Sequence, residues 1–264
     1  MPKYSNYLII QLAALYVKIN IRRVVFGQKI LVLIFQGFRA IRHSKLVKVG
    51  YKKKILLCGK PGTGKTFSAQ IMSSVLNIPL VYIRFDTIIS SYLGETAGNL
   101  RKVFDYIEKG TWVVLFDEFD IIGKNRDDNH EHGEIKRVVN NFLQMLDNFK
   151  GDSIILAATN HQNILDPAIW RRFDDVVYYE LPDGKTRKQL FDIYLKPIKR
   201  DSNIDLLEVV KKTDRLSHAD IKMITEEAMK TSIINSSNSL SMRDIETAVD
   251  KFIRREKVKN NGEV

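Results

Sequence analysis

The stretch Gly59-Lys60-Pro61-Gly62-Thr63-Gly64-Lys65-Thr66 matches the template G-x-x-x-x-G-K-[ST] at every fixed position. The apolar run at residues 54–58 predicts a buried strand before it, and residues 67–76 predict a helix after it. In that context backbone amides and the helix N-terminus face phosphate charge, Lys65 reaches the β- and γ-phosphates, and the Thr66 hydroxyl binds magnesium. The alternative is a glycine-rich turn with no ligand. The predicted nucleotide-binding residues are Gly59, Pro61, Gly62, Thr63, Gly64, Lys65, Thr66 and Phe67.

Two acids follow a second apolar run. Residues 112–116 predict a buried parallel strand that ends at Asp117 and Glu118. Ligands of such sheets bind at the carboxyl ends of the strands. We predict that Asp117 holds magnesium, directly or through a water, and that Glu118 orients and deprotonates the attacking water. The alternative is that the acids merely favour a helix N-terminus.

Apolar runs alternate with helical patterns between residues 51 and 181. This alternation is typical of βαβ units, which build parallel sheets. A strong turn signal follows at Leu181-Pro182-Asp183-Gly184, and four segments beyond it space apolar residues three and four apart. We predict an α/β fold, a P-loop NTPase parallel sheet sandwiched by helices, followed by a small all-α lid domain. The predicted boundaries are 1–50 for a basic, apolar segment of uncertain fold, 51–182 for the P-loop domain, 183–254 for the lid and 255–264 for a disordered tail.

The positive charge is concentrated near the start of the chain. The net charge is +11, and no Asp or Glu precedes Asp86, whereas residues 1–85 contain 15 Lys and Arg. A basic excess of this kind favours an anionic partner. A membrane surface, a nucleic acid and an acidic neighbouring subunit are the open possibilities.

Two apolar stretches lie in the same part of the chain, at residues 7–17 and 30–35. Both are shorter than the roughly 18 to 20 residues that a membrane-spanning helix needs. A peripheral membrane contact, a transit peptide and a weak signal sequence are alternatives to a helical lead-in. The chain has one cysteine, Cys58, so it can form no internal disulfide, and a reducing compartment is expected. We predict a cytoplasmic protein, with peripheral membrane association as the alternative.

Five motifs follow one another along the chain: the phosphate loop, Leu115-Phe116-Asp117-Glu118, Ala158-Thr159-Asn160, Arg171-Arg172-Phe173-Asp174 and Ser217-His218-Ala219-Asp220-Ile221. Their order and spacing resemble those of the AAA+ ATPases. Over residues 51–252 the chain resembles the branch that contains the proteasomal ATPases, katanin, spastin and the membrane-anchored AAA proteases. The resemblance implies ATP and Mg²⁺ as cofactors, hydrolysis of ATP to ADP and phosphate, and a homo-hexamer with ATP sites at the subunit interfaces.

The resemblance also implies roles for three further polar residues. Asn160 is similar to the sensor residue that helps to place the attacking water. Arg171 and Arg172 resemble the paired arginine fingers, which act on the nucleotide of the adjacent subunit. The alternative is that the two arginines form surface salt bridges near Asp174 and Asp175.

The segment Ser90-Ser91-Tyr92-Leu93-Gly94-Glu95 resembles the first pore loop of the family. Tyr92 and Leu93 would then project into a central channel and grip an extended polypeptide substrate, although Tyr92 could instead cap the following helix. No H-E-x-x-H motif occurs, so any protease partner would be a separate polypeptide. The amino-acid sequence around this loop also resembles that of compact bacterial AAA ATPases that are encoded with a subtilisin-like serine protease.

Two departures from the family concern how the nucleotide is held. His218 stands, beside Ala219, where many relatives have a glycine next to the nucleotide, so we expect both residues near the nucleotide without assigning their contacts. Residues 1–45 do not resemble the entry segment that helps relatives to hold adenine.

Two functions from different classes remain open on the sequence. The first is a ring-forming motor that hydrolyses ATP to remodel or unfold protein substrates, possibly feeding a separate protease. The second is a nucleotide-dependent switch or a DNA-associated ATPase, such as a loader, that uses its basic N-terminal segment to bind nucleic acid.

Overall fold

The computed structural model describes residues 53–90, 96–119, 132–161, 165, 167–235, 237 and 239–261. The predictions for residues 1–50, Tyr92 and Leu93 therefore lie outside the described residues. The described chain forms two compact units. Residues 53–60 and 64–179 belong to the first unit, and residues 61–63 and 180–261 belong to the second.

The first unit contains a five-stranded parallel sheet in the order β2-β3-β4-β1-β5. The strands are β1 (Lys54–Gly59), β2 (Leu80–Arg84), β3 (Val113–Asp117), β4 (Ile154–Thr159) and β5 (Asp175–Tyr179). The helices of this unit are α1 (Lys65–Leu76), α2 (Phe85–Ser90), α3 (Thr96–Glu108), α4 (His132–Asn148) and α5 (Pro167–Trp170). The predicted α/β fold is confirmed, and the two short helices α2 and α5 are additions that the apolar periodicity did not reveal.

The sheet is covered on both faces, and this explains why its central strands are apolar throughout. Successive residues of a strand point to opposite faces. Leu56 packs with Phe142 of α4 in one core, whereas Leu57 packs with Ala69 of α1 in the other. All four side chains are buried. A strand that is buried on both faces gains from apolar residues at every position, so the alternating pattern of a half-exposed strand is lost.

The second unit is helical. Its helices are α6 (Gly184–Tyr194), α7 (Leu206–Lys212), α8 (His218–Ile234) and α9 (Met242–Asn261), and they share one apolar core. All four begin at a side-chain cap: Asp183 accepts from the Thr186 amide, Asp205 from the Leu207 amide, and Ser217 and Ser241 each form a capping box with the aspartate three positions on. The predicted all-α region after the sheet is therefore confirmed.

The prediction of a disordered tail from residue 255 is wrong for most of that segment. Helix α9 continues to Asn261 without a break. Residues 255–261 contain Arg, Glu and Lys, which have high helix propensity, and no glycine or proline occurs before Gly262. Charge and polarity indicate solvent exposure, but they do not end a helix.

No helix within the described residues combines the length and the apolar character required to cross a bilayer.

A side chain at Gly59, the last residue of β1, should have a measurable effect on stability. Its φ is +153°, and a Cβ at this position would lie 2.3 Å from the backbone oxygen of Tyr179 on β5. We expect Gly59→Ala to lower the free energy of unfolding by about 1 to 3 kcal/mol, because the backbone pairing of β1 with β5 must shift. Urea denaturation measures the change.

Gly98, in α3 of the same unit, is the matched control. A Cβ there meets nothing within 4 Å. Gly98→Ala should raise the free energy of unfolding by roughly 0.5 to 1 kcal/mol, since alanine favours the helix. Equal effects of the two substitutions would contradict the tight approach at Gly59.

Candidate nucleotide site

Lys65 joins the phosphate loop to the end of β4. It is the first residue of α1, after Gly64, whose φ of 102° is left-handed. The Lys65 side chain is buried, and its Nζ donates to the carbonyl oxygens of Gly59 at 2.7 Å and Lys60 at 2.9 Å. It also donates to Asn160 Oδ1 at 2.7 Å. The structure therefore brings together the loop lysine and Asn160, which are 95 positions apart in the sequence.

Thr66 and Asp117, which the sequence predicted separately as magnesium ligands, contact each other. Thr66 Oγ1 donates to Asp117 Oδ2 at 2.9 Å. Asp117 is the last residue of β3, and Thr66 lies in the first turn of α1. Magnesium prefers oxygen ligands and is commonly held by one or two protein groups together with substrate phosphates and waters. A hydroxyl and a carboxylate in contact beside a phosphate loop fit that ion.

Tyr82 was not predicted from the sequence. Its hydroxyl donates to Asp117 Oδ2 at 3.1 Å, the same oxygen that accepts from Thr66. Partial burial and the nearby Asp117 carboxylate raise the pKa of the phenol, so it remains a donor at neutral pH. In the sequence Tyr82 is one of several large residues in a short strand. The sequence shows that β2 comes before the acid-bearing strand β3, but it does not show that the two strands are neighbours in the sheet.

Glu118 adopts a backbone conformation that is uncommon for its residue type. Its φ is 56°, in the left-handed region. Its amide donates to Asp117 Oδ1 at 3.0 Å, and the next amide, Phe119, donates to the Ala158 carbonyl at 3.0 Å. The Phe119 ring is fully buried and lies 5.2 Å from the Phe85 ring. The hydrogen bond between the Phe119 amide and Ala158 and the burial of the Phe119 ring fix the residue after Glu118. Together they hold Glu118 in a strained conformation at the sheet edge.

The two predicted arginine fingers differ in their surroundings. Arg172 Nε lies 3.2 Å from Asp147 Oδ2, and Arg172 Nη1 donates to the Ala168 carbonyl at 3.1 Å. Arg171 is exposed.

The alternative prediction, salt bridges near Asp174 and Asp175, named the wrong partners for Arg172. Asp174 instead accepts the backbone amides of Lys53 and Lys54 at 2.8 and 2.9 Å. This contact fixes the start of β1 next to β5.

His218 and Ala219 begin α8 in the second unit. The Ala219 amide donates to the Gly62 carbonyl at 3.0 Å, so this end of α8 contacts the central residues of the phosphate loop, which belong to the same unit. Burial lowers the pKa of His218, and its imidazole is therefore neutral at physiological pH. A role of either residue in nucleotide binding stays a prediction.

Cys58, just before the loop, behaves as a small buried apolar residue. Burial raises the pKa of its thiol to about 12. It is therefore protonated at neutral pH and a poor nucleophile.

Comparisons with known proteins identify the family of the chain. The model of the family described as "ATPase family associated with various cellular activities (AAA)" matches residues 55–181. An uncharacterized AAA family ATPase of Sinorhizobium fredii is 35% identical over 227 residues, which cover 86% of this chain and 68% of that protein. The chain belongs to the AAA family. The resemblance to AAA+ ATPases is therefore confirmed, and the protein is an ATPase.

Other relatives of this AAA ATPase have more specific names. A proteasome-activating nucleotidase of Saccharolobus solfataricus is 36% identical over 219 residues, or 80% of this chain and 56% of that protein. The ATP-dependent zinc metalloprotease FtsH of Parabacteroides distasonis is 34% identical over 220 residues, or 80% of this chain and 32% of that protein. The chain thus spans about half and a third of the lengths of these two relatives.

Because the backbone at Glu118 is strained, we predict that a glycine substitution at this position stabilises the protein. A left-handed conformation costs an L-residue roughly 1 to 2 kcal/mol, and glycine avoids that cost but loses more chain entropy on folding. We expect Glu118→Gly to raise the free energy of unfolding by about 0.5 to 1 kcal/mol in urea denaturation. Lys102→Gly, on the exposed face of α3, should instead lower it by a similar amount. A loss of stability in both variants would show that Glu118 is not strained.

Proposed function

We propose that this AAA ATPase hydrolyses ATP with magnesium at the edge of the sheet where β1, β3 and β4 end, and that it assembles into a ring that remodels protein substrates. The observation that carries the proposal is the pair of contacts that joins these strand ends. Lys65 contacts Asn160, and Thr66 contacts Asp117. Lys65 and Thr66, the last two residues of the phosphate loop, thereby meet the acid at the end of β3 and the polar residue after β4.

The phosphate loop binds the triphosphate in this proposal. Gly64 gives the backbone its left-handed turn into α1, whose first amides face the phosphates. Lys65 supplies the positive charge next to the β- and γ-phosphates. Magnesium, held by Thr66 and Asp117, would neutralise charge on the same oxygens when it is bound.

Glu118 acts as the general base. Its carboxylate accepts a proton from water as the water oxygen attacks the γ-phosphorus, and the bond to the β–γ bridging oxygen breaks to leave ADP and phosphate. Asn160 lies beside Lys65 and orients the attacking water. The left-handed backbone at Glu118 supports this role, since strained residues concentrate at functional sites.

Arg171 is the better candidate of the two arginines for action on a neighbouring subunit. Arg172 is engaged by Asp147 and the Ala168 carbonyl of its own chain, whereas Arg171 is exposed. A guanidinium that stabilises the charge of a transferring phosphoryl group can contribute about 10³ to 10⁵ in rate. Supplying it from another subunit makes hydrolysis depend on assembly.

Protein remodelling is supported by the names of two relatives. One is a proteasome-activating nucleotidase and the other an ATP-dependent metalloprotease, and both align with about four fifths of this chain. Both names are consistent with an ATPase that acts on polypeptide substrates. The predicted channel residues Tyr92 and Leu93 and a separate protease partner belong to the same proposal.

Glu118→Gln tests the chemistry. It removes the base and keeps the size of the side chain, so we expect ATP turnover to fall by about 10² to 10⁴ while ATP remains bound. Phosphate release measures turnover, and filter binding of labelled ATP measures retention. Glu108→Gln, an exposed glutamate at the end of α3, is the control and should leave both unchanged.

The ATP-bound Glu118→Gln protein also separates the two functional classes. Polypeptides that co-purify with it only in ATP support remodelling. DNA-stimulated turnover in the wild type, with strong salt dependence and no bound polypeptide, would favour the DNA-associated alternative. Undiminished turnover in Glu118→Gln would remove Glu118 from the mechanism.

Arg171→Ala and Arg172→Ala test the shared site. We expect Arg171→Ala to lower turnover per subunit by about 10³ without changing ATP affinity, because its guanidinium acts on the neighbour. Wild-type turnover per subunit should rise with protein concentration as the ring assembles. Arg172→Ala should mainly lower stability, by no more than about 1 kcal/mol for a partly exposed ion pair. Concentration-independent turnover together with a silent Arg171→Ala would rule out the ring model.

A further inference from the structure

Tyr82 reaches Asp117 because of the register between β2 and β3. Tyr82 pairs with Leu115, and Asp117 lies two residues further along β3. Side chains two residues apart on a strand share a face, so Tyr82 and Asp117 are diagonal neighbours. Such neighbours lie about 7 to 8 Å apart between Cα atoms, a separation that an aromatic side chain spans. A shorter side chain at position 82 would leave Asp117 out of reach.

The hydrogen bonds around Asp117 define the orientation of its carboxylate. Thr66 and Tyr82 both donate to Oδ2, at 2.9 and 3.1 Å, and the Glu118 amide donates to Oδ1 at 3.0 Å. The Glu118 bond is local, and the Thr66 bond comes from a residue that is itself a proposed metal ligand. Tyr82 therefore adds a third donor to this carboxylate, from a strand that carries none of the residues proposed to hold the nucleotide or the metal.

Packing does not explain Tyr82. Its side chain is 50% exposed, although the strand belongs to the sheet. Arg84, on the same strand, is engaged by Asp86, to which its Nε donates at 3.2 Å. The hydrogen bond from the Tyr82 hydroxyl to the Asp117 carboxylate therefore explains the orientation of the Tyr82 side chain.

We propose that Tyr82 is a positioning residue that fixes the carboxylate of Asp117 and thereby sets the affinity of the site for magnesium. Hydrogen-bonding partners of metal ligands orient them, and their loss commonly costs about 10- to 100-fold in metal affinity. The inference rests on the proposed magnesium role of Thr66 and Asp117. It assigns Tyr82 no contact with the nucleotide.

Tyr82→Phe removes the hydroxyl and keeps the ring. The measurement is the affinity of the full chain for mant-AMP-PNP, a fluorescent ATP analogue that is not hydrolysed, in excess Mg²⁺ and in EDTA. We expect Tyr82→Phe to reduce the gain in affinity that Mg²⁺ provides by about three- to tenfold, less than a buried partner would because Tyr82 is half exposed. Affinity in EDTA should match the wild type.

Two further measurements separate positioning from a general structural effect. Tyr106→Phe, at an exposed tyrosine of α3 whose ring stacks on Trp112, is the matched control and should leave the Mg²⁺ gain unchanged. In steady-state assays Tyr82→Phe should raise the Mg²⁺ concentration that gives half-maximal turnover, and turnover at saturating Mg²⁺ should stay within about twofold of the wild type.

The outcomes distinguish this inference from the function on which it rests. Equal Mg²⁺ gains in the wild type and Tyr82→Phe overturn the role of Tyr82 and leave the magnesium site intact. Equal losses in Mg²⁺ and in EDTA also overturn it, because the hydroxyl would then support nucleotide binding in general. A wild type that gains nothing from Mg²⁺ overturns the magnesium site and the role of Tyr82 together.

Discussion

Strand β4 pairs with β3 on one side and with β1 on the other, with Phe116 opposite Ala157 and Cys58 opposite Thr159. Because all three strands run in the same direction, they end at the same edge of the sheet. Each carries a polar element at its end: the phosphate loop begins at the last residue of β1, the acids are the last residue of β3 and the one after it, and Asn160 directly follows β4. Slipping one strand by a single residue would turn its side chains to the other face and separate these groups. The two apolar cores therefore specify the site as well as the fold.

Lys65 shows how the edge is held together. Its side chain is only 7% exposed, and a buried ammonium is tolerated when acceptors satisfy its three N–H donors. Gly59, Lys60 and Asn160 supply three acceptors. If Lys65 contacts a phosphate, as proposed, at least one of these bonds must be exchanged. Nucleotide binding is then coupled to the loop carbonyls and to the end of β4, and so to the residue proposed to orient the water.

The residues found from sequence are those that a local template or a family motif specifies. Lys65, Thr66 and Asp117 each lie in a short stretch whose chemistry requires that order, and the structure brings them together. Tyr82 was missed, because its contact depends on β2 lying next to β3 and on their register, which no local pattern contains. The pairing of Arg172 with Asp147 was missed for the same reason, since two distant segments must pack before their charges meet. Residues 255–261 differ from the prediction because their helix propensity determines the local conformation, whereas their polarity determines only solvent exposure.

The contrast between Arg171 and Arg172 bears on how such a site can be regulated. A guanidinium held by Asp147 and a backbone carbonyl is fixed within its own chain, where it helps to place the short helix α5 and the residue next to it. In the proposed ring Arg172 would hold the backbone while Arg171 reaches outward. The two adjacent arginines would then have different effects when they are removed. Hydrolysis would respond to assembly through Arg171, whereas Arg172 would mainly stabilise the packing of α4 and α5 within one subunit.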